Sequence, residues 1–225
     1  MFIRLKPSLA KLISWPIRLW DNILLQRNSR ALDRTIEPPS ASYQQYLHLQ
    51  LKRTFLKRRT PLQARTRALV DRLAGQMEFN GCRVLCIGCR NTAELDYFHT
   101  KGCNDVIGID LHSQRADILV MDMHHMNFPD DHFDIIYSSH SLEHAQDPSQ
   151  VIVEIIRVAR SGALVAIEVP IEFEPRGADL VDFLSLNQLH SVFTPYLVKV
   201  LWSEQYHSTG TERNTCIRTI FRIQK

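Results

Sequence analysis

The chain has 225 residues, 44% hydrophobic and 23% charged, with five cysteines and a formal net charge of +3. That is globular composition, large enough for one sizeable core plus an accessory piece. It excludes a secreted disulfide scaffold, because the cysteines are few and odd in number, and a membrane-spanning protein, because no uncharged run approaches the ~20 residues a bilayer requires.

Charge is unevenly placed. Residues 1–80 hold 15 Lys and Arg against 5 Asp and Glu, whereas residues 81–225 hold 12 against 19. The basic part suits a membrane surface, a nucleic acid or an acidic partner, or else a set of solvated helix faces. Lys6, Lys11 and Arg18 interrupt the apolar start and no small-residue cleavage site follows, so the chain reads as cytoplasmic, soluble or at most peripheral to a membrane.

In the first segment Leu5, Leu9, Leu12, Trp20, Ile23 and Leu24 follow a helical period broken by Pro7 and Pro16. With Trp15, Trp20 and their basic neighbours, residues 1–34 form either an interfacial helix or a helix packed on its own domain or on a second subunit of an oligomer. A Pro/Ser stretch, Thr35 to Ser42, is the expected linker. "YQQYLHLQLKRTFLKRRT" then reads as a basic helix, and "PLQARTRALVDRLAG" as a second, with Pro61 as an early residue and Gly75 as its end. The expected domains are therefore 1–42 (basic amphipathic helix and linker), 43–80 (basic helical cap) and 81–225.

From residue 81 the period changes. Seven β-rich runs follow, at 83–88, 105–110, 117–122, 133–139, 163–170, 196–202 and 216–223, with helices expected at Thr92–Thr100 and Pro148–Ala159. The first five runs are apolar on both faces, as in strands covered by helices on either side. This alternation predicts an α/β, doubly wound, mostly parallel sheet with the ligand site at the strands' carboxyl ends.

Two short motifs invite a metal. Cys82-x-x-x-Cys86-x-x-Cys89 has the spacing of an iron–sulfur motif, but Val84, Leu85 and Ile87 favour a strand, which would hold Cys82 and Cys86 roughly 13 Å apart. His140-x-x-Glu143-His144 has the letters of an inverted zinc-protease helix, but it follows the strong strand "FDIIYSS" and precedes Asp147-Pro148, the start of a new helix. Neither is read as a metal site, and the histidines are placed at the mouth of a strand-end cleft.

The pieces "VLCIGC", "VIGID", "VMDMHHMNFPDDHFDIIYSSHSLEHAQDP" and "EIIRVARSGALVAIEVP", with a terminal strand pair, resemble the class I S-adenosylmethionine-dependent methyltransferases, in particular the small-molecule group. The likeness covers about residues 81–225 and is best at 83–170. It implies a seven-stranded Rossmann-like sheet and S-adenosylmethionine as cofactor. The acceptor would be an O or N of a small molecule, sugar or lipid-linked compound, and a nucleic acid ranks lower.

The residue types suit such a cofactor. Asp110 closes the second strand 22 residues after Gly88, in position to accept both ribose hydroxyls. Gly88 admits close backbone approach. The resemblance places Asp122 and the Met123 backbone at the adenine, and Ser138, Ser139 and His140 beside the methionine end. Cys89, Arg90 and Leu111 complete the expected lining. His140 and His144 are the candidate bases, titrating near neutrality, with a hydrogen-bonding wall as the other reading of each.

Two departures stand out. The glycine motif reads Cys86-Ile-Gly88-Cys-Arg90-Asn-Thr92, without its acidic residue or its last two glycines, and puts a cation where the cofactor's amino-acid end would pass or be contacted. Only Leu111 to Ala116 separates strands two and three, too short for a helical crossover, so the adenine side is expected to be open. These departures keep a rival in view: a methyltransferase-like binding or scaffold subunit that has lost catalysis.

Overall fold

A computed structural model describes residue 27 and residues 41–57, 59–113, 115–208 and 215–225. The sequence-predicted helix over residues 1–34 and most of the Thr35–Ser42 linker lie outside these. Two helices, α1 (Ala41–Lys57) and α2 (Ala64–Ala74), precede β1 (Arg83–Ile87), α3 (Ala93–Thr100), β2 (Asp105–Asp110), β3 (Ile118–Val120) and β4 (Phe133–Ser139). Then come a 3-10 turn (Leu142–His144), α4 (Pro148–Val158), β5 (Ala159–Ile171), α5 (Leu186–Ser191), β6 (Leu197–His207) and β7 (Thr215–Ile223). Among the described residues no helix is long and apolar enough to cross a membrane.

The strands form one seven-stranded sheet in the order β3-β2-β1-β4-β5-β7-β6. β1 pairs in parallel with β2 and with β4, and β5 in parallel with β4. Only β7 runs against its neighbours, β5 and β6. The expected doubly wound sheet is therefore present. The chain leaves β1 towards β2 on one side and returns to β4 on the other, opening a crevice at the carboxyl ends of β1 and β4.

Alternation along the strands divides the core in two. Leu85 and Ile87 of β1 point to the face shared with Ile136, Val165 and the α4 residues Val151 and Ile155. Val84 and Cys86 point to the other, with Ile135, Tyr137, Leu69 and Val70 of α2 and Phe98 of α3. This explains why the central strands read as unbroken apolar runs: both of their faces are buried.

Several boundaries differ from the sequence reading. Pro61 precedes α2, which starts at Ala64 after Gln63. β5 begins at Ala159, four residues early, because Ala159 already pairs with Phe133 before a register shift, and Gly162 (φ 88°) carries the chain through a stretch that reads as a turn. α5 was not expected; its six residues are too short to show a helical period, although Ser185 caps it by accepting Gln188 N–H.

The link between β2 and β3 is a helix-free loop, as its length requires. The open adenine side expected from that loop is not found. α1 lies across it: Phe55 packs edge-on against His112, which is fully buried, and Tyr43 and Tyr46 contact His124 beyond β3. An element distant in sequence supplies the cover that a crossover helix would otherwise give.

Candidate active site

The loop after β1 is built around a glycine. Gly88 has φ 69°, donates its N–H to Ile109 O at 2.8 Å, and carries no side chain where a Cβ would fall 2.6 Å from Ser141 Cβ. Ser141 occupies that space by donating to Ile87 O at 3.1 Å. Two residues on, Arg90 is also left-handed (φ 56°), a conformation that strains a non-glycine residue. Its N–H donates to Asp110 Oδ2 at 2.6 Å, joining the glycine loop to the end of β2. Burial pushes the Asp110 carboxyl up, opposed by the Arg90 N–H and charge and by the Leu111 and His112 N–H groups.

At the end of β3, Asp122 is buried and well supplied with donors. Its Oδ1 accepts His124 N–H at 3.0 Å and lies 2.7 Å from His124 Nδ1, while Oδ2 accepts the Tyr43 hydroxyl at 2.6 Å. Asp147 N–H donates to His124 Nε2, which assigns the proton to Nδ1 and ties this corner to the start of α4. Burial would raise the Asp122 pKa, but His124 and Tyr43 outweigh it and hold the carboxyl low.

His140 follows β4 with φ 54°, and its N–H donates to Glu168 O. Its ring sits between two buried carboxylates, with Nδ1 3.4 Å from Glu143 Oε1 and Nε2 3.2 Å from Glu168 Oε1. Burial opposes the charged ring, but Cys216, Glu143 and Glu168 together push its pKa well above the ordinary histidine value. The imidazole is thus held as a cation at neutral pH, not poised near neutrality as the sequence suggested. His144 is arranged differently. Its Nδ1 faces Asp179 Oδ1 at 3.1 Å and Ala178 O at 3.0 Å, with Arg53 Nη1 at 3.2 Å, and its Nε2 lies 3.8 Å from Glu143. His144 and Arg53 hold the Asp179 carboxyl far below the usual range.

The structure gathers most of the sequence-predicted residues. Gly88, Arg90, Asp110, Leu111, Asp122, Met123, His140 and His144 line one narrow cleft of about 60 Å³. Cys89 and Ser139 join Gly88, Arg90 and His140 in an adjoining cleft of about 40 Å³, although the Cys89 thiol turns inward towards Ile109 O. Ser138 lines neither; it is fully buried, and among the described residues its hydroxyl has no partner.

Sequence reasoning missed Tyr46, Gln50 and Thr54 of α1, which line the narrow cleft beside Asp110 and Asp122. Their four-residue spacing was the available signal, a polar uncharged stripe on an otherwise basic helix. It also missed Asp179 and Glu168. Beyond His140 and His144 the crevice widens into a polar cavity of about 660 Å³, bordered by Arg53, Arg65, Glu143, Glu174, Arg176 and Asp179.

The two metal-like motifs fall apart into other structures. Cys86 is a buried β1 residue packed in the core, and Cys82 precedes the strand. His140 to His144 is a strand end followed by one 3-10 turn. Among the described residues no His, Cys, Asp and Glu group has the geometry to hold a metal ion.

Residues 85–167, from β1 into β5, match the family described as a methyltransferase domain. The matched stretch covers less than half of the chain. The chain is similar to ajmaline N-methyltransferase of Rauvolfia serpentina, 48% identical over 42 residues, which are 19% of this chain and only 14% of that enzyme. Its fold is that of Burkholderia thailandensis 1,6-didemethyltoxoflavin-N1-methyltransferase, solved with S-adenosylhomocysteine (TM-score 0.65, 13% identity, 85% of this chain and 94% of that one). N-methyltransferase NodS of Bradyrhizobium japonicum, also solved with S-adenosylhomocysteine, is similar at TM-score 0.56 and 15% identity over 72% and 86% of the two chains. The matched residues run from β1 into β5 and include the crevice at the carboxyl ends of β1 and β4, whereas α1, which covers that crevice, lies outside them.

Proposed function

We propose that the protein transfers a methyl group from S-adenosylmethionine to a nitrogen or oxygen of a small polar acceptor, free or carried on a sugar or lipid. The observation that carries this is the convergence of Gly88, Asp110, Asp122 and His140 on one cleft at the sheet's switch point. The residues fit such a cofactor: an acidic strand end, a left-handed glycine loop tied to it by the Arg90 N–H, and a second carboxylate at the next strand end. The cofactor supplies a sulfonium-activated methyl group, so alignment is the main task left to the protein.

In this reading Asp110 accepts the ribose hydroxyls, Asp122 and the Met123 backbone meet the adenine, and Leu111 walls the ring. Gly88, Cys89, Arg90 and Ser139 border the amino-acid end, while Ser138, expected there, is buried behind them. The 660 Å³ cavity takes the acceptor. His144, with Nδ1 held by Asp179, has the arrangement of an oriented base, and its Nε2 would take the acceptor proton. His140, held as a cation between Glu143 and Glu168, fixes the mouth of β4 and presents positive charge rather than a lone pair. The N-methyltransferases among the similar proteins favour nitrogen as the atom modified.

A second reading, a non-catalytic methyltransferase-like subunit, draws on one observation: α1 side chains leave only about 60 Å³ in the cofactor cleft. Isothermal titration with S-adenosylmethionine separates the two. Saturable binding, followed by label transfer in an acceptor screen, supports the enzyme; no heat at millimolar cofactor supports the subunit.

A further inference from the structure

Arg90 and Glu94, four residues apart, border the same small cleft, together with Gly88, Ser139 and His140. They do not pair. Among the described residues no hydrogen bond or ion pair reaches the Glu94 carboxylate or the Arg90 guanidinium, and Arg90 Nε is sealed from solvent without an acceptor. Elsewhere the chain closes such pairs directly: Arg157 and Glu154, three residues apart on α4, meet at 2.7 Å. An unpaired guanidinium and an unpaired carboxyl on the wall of one cleft are complementary to a ligand bearing a carboxylate and an ammonium.

We propose that Glu94 holds the ammonium, and Arg90 the carboxylate, of the cofactor's amino-acid end. This rests on the cofactor assignment above. It adds a binding residue, Glu94 in the first turn of α3, outside the glycine loop, and gives the unusual Arg90 a function.

The environment of Glu94 gives the proposal a distinctive readout. Burial pushes its carboxyl up to about 8, with Arg90 and Arg65 opposing and the Asp110 and Glu168 carboxylates reinforcing. The remaining titratable groups that feel its charge are Cys86 of β1, Cys89 of the glycine loop and Tyr137 of β4, all raised far above the neutral range. At pH 7 Glu94 therefore keeps its proton until an ammonium arrives beside it, and binding of that ammonium releases the proton.

The test compares S-adenosylmethionine with 5′-methylthioadenosine, which lacks the amino-acid end, by isothermal titration of the full chain in buffers of different ionisation enthalpy. The wild-type protein should release roughly one proton on binding the first at pH 7 and none on binding the second. Glu94→Gln should weaken the first roughly 10- to 100-fold, abolish proton release, and leave the second unchanged, which also shows that the variant is folded. Arg90→Gln should weaken the first alike while proton release persists. Wild-type affinity and proton release in Glu94→Gln overturn the proposal alone. Wild-type protein that binds neither nucleoside overturns the cofactor assignment and this proposal with it.

Discussion

Tyr43 and Asp122, 79 residues apart, are joined by a 2.6 Å hydrogen bond that fastens α1 across the ends of β2 and β3. The bond takes an oxygen of the carboxylate assigned above to the adenine. Under that assignment adenine and Tyr43 would compete for one carboxylate, and we propose that α1 acts as a cover set against cofactor entry. Tyr43→Phe should tighten S-adenosylmethionine binding up to about tenfold and increase amide exchange across residues 41–57. A weaker affinity in Tyr43→Phe would mean that the phenol contacts the ligand instead.

Gly88 is the position least able to change. A Cβ there would press on Ser141 and force an L-residue into φ 69°. Gly88→Ala should destabilise the domain by about 2–3 kcal/mol in urea unfolding and remove cofactor binding. Adding Ser141→Gly clears the contact but not the backbone strain, so about half of the stability should return.

His140 ties together two carboxylates that the fold buries. Replacing it with Gln leaves Glu143 with His144 and leaves Glu168 with Arg65 and Arg218 at 3.8 and 3.7 Å. The expected loss is about 3 kcal/mol. Its folded pKa is raised, so the native state holds this proton more tightly than the unfolded chain does. The stabilisation is then full below the unfolded value of about 6.5 and fades as pH climbs through the raised native value. The gap between wild type and His140→Gln should be widest at pH 6 and shrink on the alkaline side; a gap that grows with pH would refute the charged ring.

His144 and Asp179 make a dyad at the entrance of the large cavity. His144→Ala should slow methyl transfer on the order of hundredfold with the cofactor Kd unchanged. Asp179→Asn removes the orienting carboxylate and should slow transfer by a smaller factor, again without altering that Kd. Equal activity in both variants would leave His144 as a wall residue.

Much of this architecture is legible in the chain itself. The apolar runs of β1, β2 and β4, the glycine before a left-handed turn, and the carboxylates closing β2 and β3 are local features. Each obeys a short-range rule: burial on both faces, φ above zero, or a polar residue where a buried strand meets solvent. Eight of the sequence-predicted site residues line the same cleft for that reason. What the sequence by itself could not reveal is who meets whom across long separations. The parallel register that sets Ser139 opposite Glu168 places that carboxylate at His140 and turns a candidate base into a held cation. The docking of α1 brings Tyr43 to Asp122 and Arg53 to Asp179, closing a side whose short loop reads as open. Periodicity specifies which face of an element is buried, whereas the partner of a polar side chain depends on how separate elements stack, and only the tertiary structure decides that.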